Sequence, residues 1–150
     1  MGVSAFRSTM NRMDKSNLIF DLPLPVIFAH RGASRFAPEN TLAAFNLAVI
    51  QGADAIELDA KLTADGQIVV FHNQTLERTT SAIGKIGEKT LSELKELDAS
   101  VHFDKIYQNE RIPTLEEVFE AVGQRIFISV KLTNYASPND RLPEKVADLV

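Results

Sequence analysis

Cysteine is absent from this 150-residue chain, which excludes disulfides, thiolate metal centres and cysteine nucleophiles while leaving the compartment open. Long apolar runs are missing too. None approaches the roughly 20 residues of a membrane span, and residues 1–25 lack the continuous apolar stretch and small-residue cleavage site of a signal peptide, so a cytoplasmic protein is the default expectation. No GxGxxG or GxxxxGK[ST] loop is present to cradle nucleotide phosphates, and there is no internal repeat or low-complexity tract. Positive charge is not in excess either. The net charge of -4 and pI near 5.4 give no global reason to bind nucleic acid or anionic membranes, so any anionic substrate must be captured locally. What is present, 45% hydrophobic and 24% charged residues over this length, suffices for one globular core and is too short for two ordinary domains.

Residues 1–17 mix polar and basic side chains without sustained periodicity, and residues 1–24 read as a leader outside the fold. From residue 25 the pattern becomes regular. Val26–His30 is a short apolar run bounded by Pro25 and Gly32, the signature of a buried strand. Residues 39–51 then space Leu42, Phe45, Val49 and Ile50 as a helix does, with Gly52 as its stop. Residues 53–62 alternate in the strand sense, with Glu57, Asp59 and Lys61 on one face and Ile56, Leu58 and Leu62 towards the other. The turn Thr63-Ala-Asp-Gly66 leads into the strand Gln67–Phe71, which ends in His72. A hairpin closed by that turn sets Glu57 opposite His72 and Asp59 opposite Val70, putting His72 on the carboxylate face. Residues 73–111 look like an insertion with one short helix near 91–97. Pro113–Phe119 opens a helix that Thr114 caps, with Glu117 completing a capping box and Gly123 ending it. Ile126–Leu132 is a further apolar strand, and a last helix begins at Leu142. Strands alternating with helices imply a parallel α/β architecture, either a barrel or an open doubly wound sheet.

Two of the three histidines, His30 and His72, end strands, where α/β folds place their ligands; His102 falls in the insertion and reads as structural or exposed. Glu57 and Asp59 crowd two carboxylates onto one strand face between apolar neighbours, which demands a positive partner. A hard divalent cation such as Mg²⁺ or Ca²⁺ meets that demand with oxygen ligands and could also hold a phosphate oxygen. A strand face paired with Lys61 or Arg31 meets it equally. Arg31 carries a donor fork that matches a phosphate, beside a Gly32 that allows close backbone approach. Glu39-Asn40-Thr41 fits a helix start or a loop in an active site.

The ordered set His30-Arg-Gly32, Pro38-Glu-Asn-Thr41, Glu57-Leu-Asp59, Leu62-Thr-x-Asp-Gly66, Val69-Val-Phe-His72 and Ile112-Pro-Thr-Leu115 resembles the glycerophosphodiester phosphodiesterase family, a phospholipase C-like phosphodiesterase group, from about residue 26 onward. The resemblance implies a (β/α)8 TIM barrel of which only the N-terminal half to two-thirds is present, with residues 73–111 as a small insertion within a domain over 25–150. It implies hydrolysis of small-molecule glycerophosphodiesters, such as glycerophosphocholine, to an alcohol and glycerol 3-phosphate in lipid metabolism. By position, Glu57, Asp59 and Glu39 look like ligands of a divalent cation, Mg²⁺ or Ca²⁺. His30 and His72 look like the general base and acid pair, and Arg31 and Lys131 like contacts to the phosphate.

Two positions depart from the family pattern. Its His-Asp pair is His72-Asn73 here. A later strand of the family bears a Glu that completes the metal site, two residues before a Lys; aligned on Lys131, that Glu falls on Ser129. Losing one negative charge about 4 Å from a cation forfeits roughly 4 kcal/mol at an effective dielectric of 20, before desolvation returns part of it. The expectation beside an active enzyme is therefore a truncated, degenerate, non-catalytic remnant of the same family.

Overall fold

The computed structural model describes Leu22, residues 24–133 and residues 141–150; the rest of the expected leader lies outside the described residues. The chain runs β1 (Phe28–His30), α1 (Leu42–Ile50), β2 (Ala55–Leu62), β3 (Ile68–Val70), α2 (Leu91–Lys95), α3 (Leu115–Val122), β4 (Phe127–Leu132) and α4 (Leu142–Leu149), with 3₁₀ turns at Ile86–Glu88 and Lys105–Tyr107. Both β1 and β4 pair with β2 in parallel, as the strand–helix alternation required. β3 pairs with it antiparallel. Because β4 occupies one edge of β2 from Ala55 to Ala60, β1 and β3 must follow one another along the other edge.

Alternation along β2 separates two environments. Ile56, Leu58 and Ala60 are fully buried against Phe45 and Ala48 of α1, Leu115, Val118 and Val122 of α3, and Val146 of α4. The other face carries Glu57, Asp59 and Lys61. β3 splits in the same way: Ile68 and Val70 join the first core, whereas Val69 and Phe71 join a second core made with Leu76, Ile86, Leu94, Ala99 and Ile112. Since Lys61 pairs with Val69, the insertion packs on the carboxylate side of the sheet. Helix starts follow the sequence: Thr90 and Thr114 each close a capping box, with Glu93 and Glu117.

Two expectations need correction. The hairpin register is Ala60↔Val70 and Leu62↔Ile68, one residue from the expected pairing. The loop is the cause. Thr63 N donates to Gln67 O, and Gly66 takes a left-handed φ of 76°, so three residues, Ala64 to Gly66, make the turn rather than two. An odd loop moves Phe71, not Val70, opposite Asp59, so His72 leaves the carboxylate face, and Phe71 N donates to Asp59 O at 2.8 Å. The second correction concerns β1, which is not buried: Ile27 is 58% and Phe28 45% exposed. β1 is an edge strand among the described residues, so its outer row has nothing to pack against.

Candidate active site

The first loop is shaped by backbone that ordinary residues avoid. Arg31, Gly32 and Asn40 all have positive φ, of 60°, 79° and 56°. At Gly32 a Cβ would lie 2.7 Å from the backbone of Ala44, so only glycine lets the loop seat on α1. Arg31 N donates to Glu57 O and Asn40 N to Arg31 O, which folds Pro38–Thr41 back over the end of β2. Thr41 then caps α1 through Ala44 N, while Asn40 Nδ2 donates to Asp59 Oδ2 at 3.2 Å. The helix-start reading of Glu39-Asn40-Thr41 thus holds at Thr41, while the residue before it reaches the Asp59 carboxylate.

Parallel pairing puts His30, Glu57 and Ser129 in one row across three strands, and Asp59 beside Lys131 in the next row but one. His30 Nε2 lies 3.7 Å from Glu57 Oε2, its side chain 64% exposed. Asp59 is completely buried, and Arg31 Nε at 3.4 Å and Lys131 Nζ at 3.8 Å face its two oxygens. Glu57 Oε2 and Asp59 Oδ1 are nevertheless buried without a hydrogen-bond partner. The arginine pairing weighed as an alternative to a metal is therefore present, and it leaves one oxygen of each carboxylate unsatisfied. The Ser129 alignment has a spatial counterpart, because that residue stands exposed in register with Glu57 where a third carboxylate would flank it.

Glu39 is held from both sides. Arg31 Nη1 donates to its oxygens at 3.1 and 3.3 Å, and Arg78 donates through Nη1 at 2.7 Å to Oε2 and through Nη2 to Oε1. Burial alone would raise the Glu39 carboxyl, but the hydrogen bond and charge of Arg78, with those of Arg31, outweigh it and hold the group below its usual range. Sequence reasoning missed Arg78 and the bond from Asn40 to Asp59. Arg78 lies in the insertion, and only the packing of that insertion on the carboxylate side brings it here. For Asn40 a signal existed, since asparagine is enriched in the left-handed conformation that turns it inward.

His72 does not join the row formed by His30 and Glu57. Its Nδ1 is 2.7 Å from Asn73 Oδ1, a contact that the Nδ1–H tautomer makes as a hydrogen bond. Among the described residues, no three His, Asp or Glu side chains converge as a ready-made metal cage. His102 is exposed, as expected for a residue outside the site.

Lys61 is the buried cation on this face. Its Nζ donates to Thr133 O and, at 3.1 Å, to Thr133 Oγ1. Burial, partly offset by Asp59 and reinforced by Lys131, pulls its pKa from 10.5 down to about 8. The folded chain thus sheds this proton before the unfolded chain does, so between pH 8 and 10.5 the unfolded state binds more protons and stability rises with pH. Denaturant melts across that window should show the rise in the unaltered chain and lose it in Lys61→Met; parallel pH profiles would contradict the assignment.

The family model described as the glycerophosphoryl diester phosphodiesterase family matches residues 30–149, the span that holds this site. The chain belongs to that family. A glycerophosphodiester phosphodiesterase of Caldanaerobacter subterraneus is 50% identical over 103 residues, covering 69% of this chain and 42% of the relative. The solved glycerophosphodiester phosphodiesterase of Agrobacterium tumefaciens superposes with a TM-score of 0.75 at 44% identity over 83% of this chain and 51% of its own. A phosphodiesterase of Oleispira antarctica, solved with the product sn-glycerol-3-phosphate, gives 0.71 at 44% identity, covering 73% and 45%. The chain spans about half the length of the relatives it matches. Among the described residues no helix is long and apolar enough to cross a membrane.

Proposed function

We propose that this glycerophosphodiester phosphodiesterase family member forms the front part of a (β/α)8 barrel and cleaves glycerophosphodiesters, glycerophosphocholine among them, with a divalent cation. The observation that carries the reading is the pair of buried oxygens without a hydrogen bond, Glu57 Oε2 and Asp59 Oδ1, on one strand face, with His30 and Lys131 no closer to them than 3.7 and 3.8 Å. Unsatisfied carboxylate oxygens in a dry position fit a hard cation better than any other partner. Glu57 and Asp59 would hold Mg²⁺ or Ca²⁺, with Glu39 as a further ligand. The cation, when bound, supplies positive charge against the charge developing on phosphorus.

The chain's own residues do the rest. Arg31 and Lys131 bind and orient the phosphate. Water adds to phosphorus as the bond to the alcohol oxygen breaks; one histidine of the pair His30 and His72 takes the proton from the attacking oxygen and the other gives one to the leaving oxygen. The products are the free alcohol and glycerol 3-phosphate.

A non-catalytic remnant is the second reading, favoured by Ser129 at the position beside Glu57 and by Lys131 near Asp59. Glycerophosphocholine hydrolysis by the unaltered chain and by Ser129→Glu, each with Mg²⁺ and Ca²⁺, separates the two. The proposal predicts release of glycerol 3-phosphate by the unaltered chain and a cation requirement lowered about tenfold or more in Ser129→Glu, the net of the attraction above after desolvation. Release only after the substitution would identify the remnant; silence in both would sink the proposal.

A further inference from the structure

Glu39 does something beyond what its assignment as a cation ligand requires. Both of its oxygens accept hydrogen bonds from two guanidinium groups that come from different segments, Arg31 from the loop after β1 and Arg78 from the insertion. Only 18% of the Glu39 side chain is exposed, against 41% for Arg78. The fork of Arg78 and Nη1 of Arg31 converging on one carboxylate make a donor arrangement that a phosphate monoester or diester accepts through its own oxygens. A cleft of about 160 Å³ opens beside Glu39, lined by Glu39, Arg78, Ser34, Ser100, His102 and Phe103, so an incoming anion has a route to the Arg78 guanidinium and the Glu39 carboxylate from the insertion side.

We infer that Arg31 and Arg78 together form the phosphate site and that Glu39 fills it in the absence of ligand, as an internal anion that the substrate phosphate must displace. Charge requires a handover. When Glu39 turns to a cation, two guanidiniums remain close together without their shared counter-charge, a state that a phosphate relieves. Cation and phosphate binding are then positively coupled, and each fills the place the other's partner vacates. The inference deepens the proposed function by naming a second phosphate-binding arginine and a regulation of the site, and it rests on that reading for the identity of the anion.

The test needs neither a cation nor turnover, so its failure is separable from failure of the hydrolytic reading. Glycerol 3-phosphate and inorganic phosphate are titrated calorimetrically in chelator into the unaltered chain, Glu39→Gln, Glu39→Gln/Arg78→Ala and Glu39→Gln/Arg78→Lys. Removing the internal anion should raise phosphate affinity about tenfold, the scale of one charge-assisted hydrogen bond. Adding Arg78→Ala should abolish the gain, and Arg78→Lys, which keeps the charge without the fork, should retain part of it. Arg78 is a surface side chain, so these substitutions leave the cores untouched. Unchanged or weaker binding in Glu39→Gln, a gain that survives Arg78→Ala, or no phosphate binding by any form would each overturn the inference.

Discussion

Alanine at His30 or at His72 is expected to lower kcat for glycerophosphocholine by about 10²- to 10⁴-fold, the usual worth of one positioned proton-transfer group. His30 is open to solvent, and among the described residues its ion-pair partner is Glu57, 3.7 Å away, so alanine there removes little packing. The unfolding midpoint of His30→Ala should stay within experimental error. His72 is oriented through Nδ1 by Asn73, which retains the acceptor an Asp would have offered but not its charge. Asn73→Ala should therefore cost less than His72→Ala, about tenfold, by freeing the ring rather than deleting it. If the histidines act as one unit, the double variant falls little below the worse single one. Steady-state kinetics at saturating cation decide the matter; either histidine variant keeping its rate within a few-fold would remove that residue from the reaction.

Asp59→Ala should be the most damaging single change to stability on this face, by about 3 kcal/mol or more, because a buried charge network loses its central anion. Asp59 is fully buried and accepts from Asn40, with Arg31 and Lys131 against its oxygens. Its negative charge also offsets part of the burial that depresses Lys61. Without it, the Asn40 amide has no acceptor there, and three cations share a face that has lost its fully buried carboxylate. Asp59→Asn keeps the shape and should cost less. Urea melts give the difference from the midpoints at constant slope. An Asp59→Ala chain as stable as the unaltered one would mean that the carboxylate is held at a cost equal to everything it stabilises.

The elements of the fold were legible because their signals are local. The capping box at Thr114 and the alternation of β2 each depend on residues within one turn or one strand. The register of the hairpin was not, since a two-residue and a three-residue loop both suit Thr63-Ala-Asp-Gly66 and differ only in which residue goes left-handed. That single residue decides whether Val70 or Phe71 lies opposite Asp59, and with it which face His72 takes. The apolar composition of β1 likewise reports what the strand can pack against, not what covers it. For the site, ordered motifs marked His30, Arg31, Glu57 and Asp59, all of which the structure gathers around the end of β2. Arg78 carried no motif; its contact with Glu39 spans 39 positions and arises only because β3 turns Val69 and Phe71 to the insertion.

Calorimetric titration of Mg²⁺ and Ca²⁺ into the unaltered chain and into Glu57→Gln tests the central claim most directly, because Glu57 Oε2 is a buried oxygen without a hydrogen bond, with His30 Nε2 3.7 Å away. Binding in the unaltered chain that weakens about tenfold or more in Glu57→Gln is the predicted result. No binding, or binding indifferent to the substitution, would contradict the account.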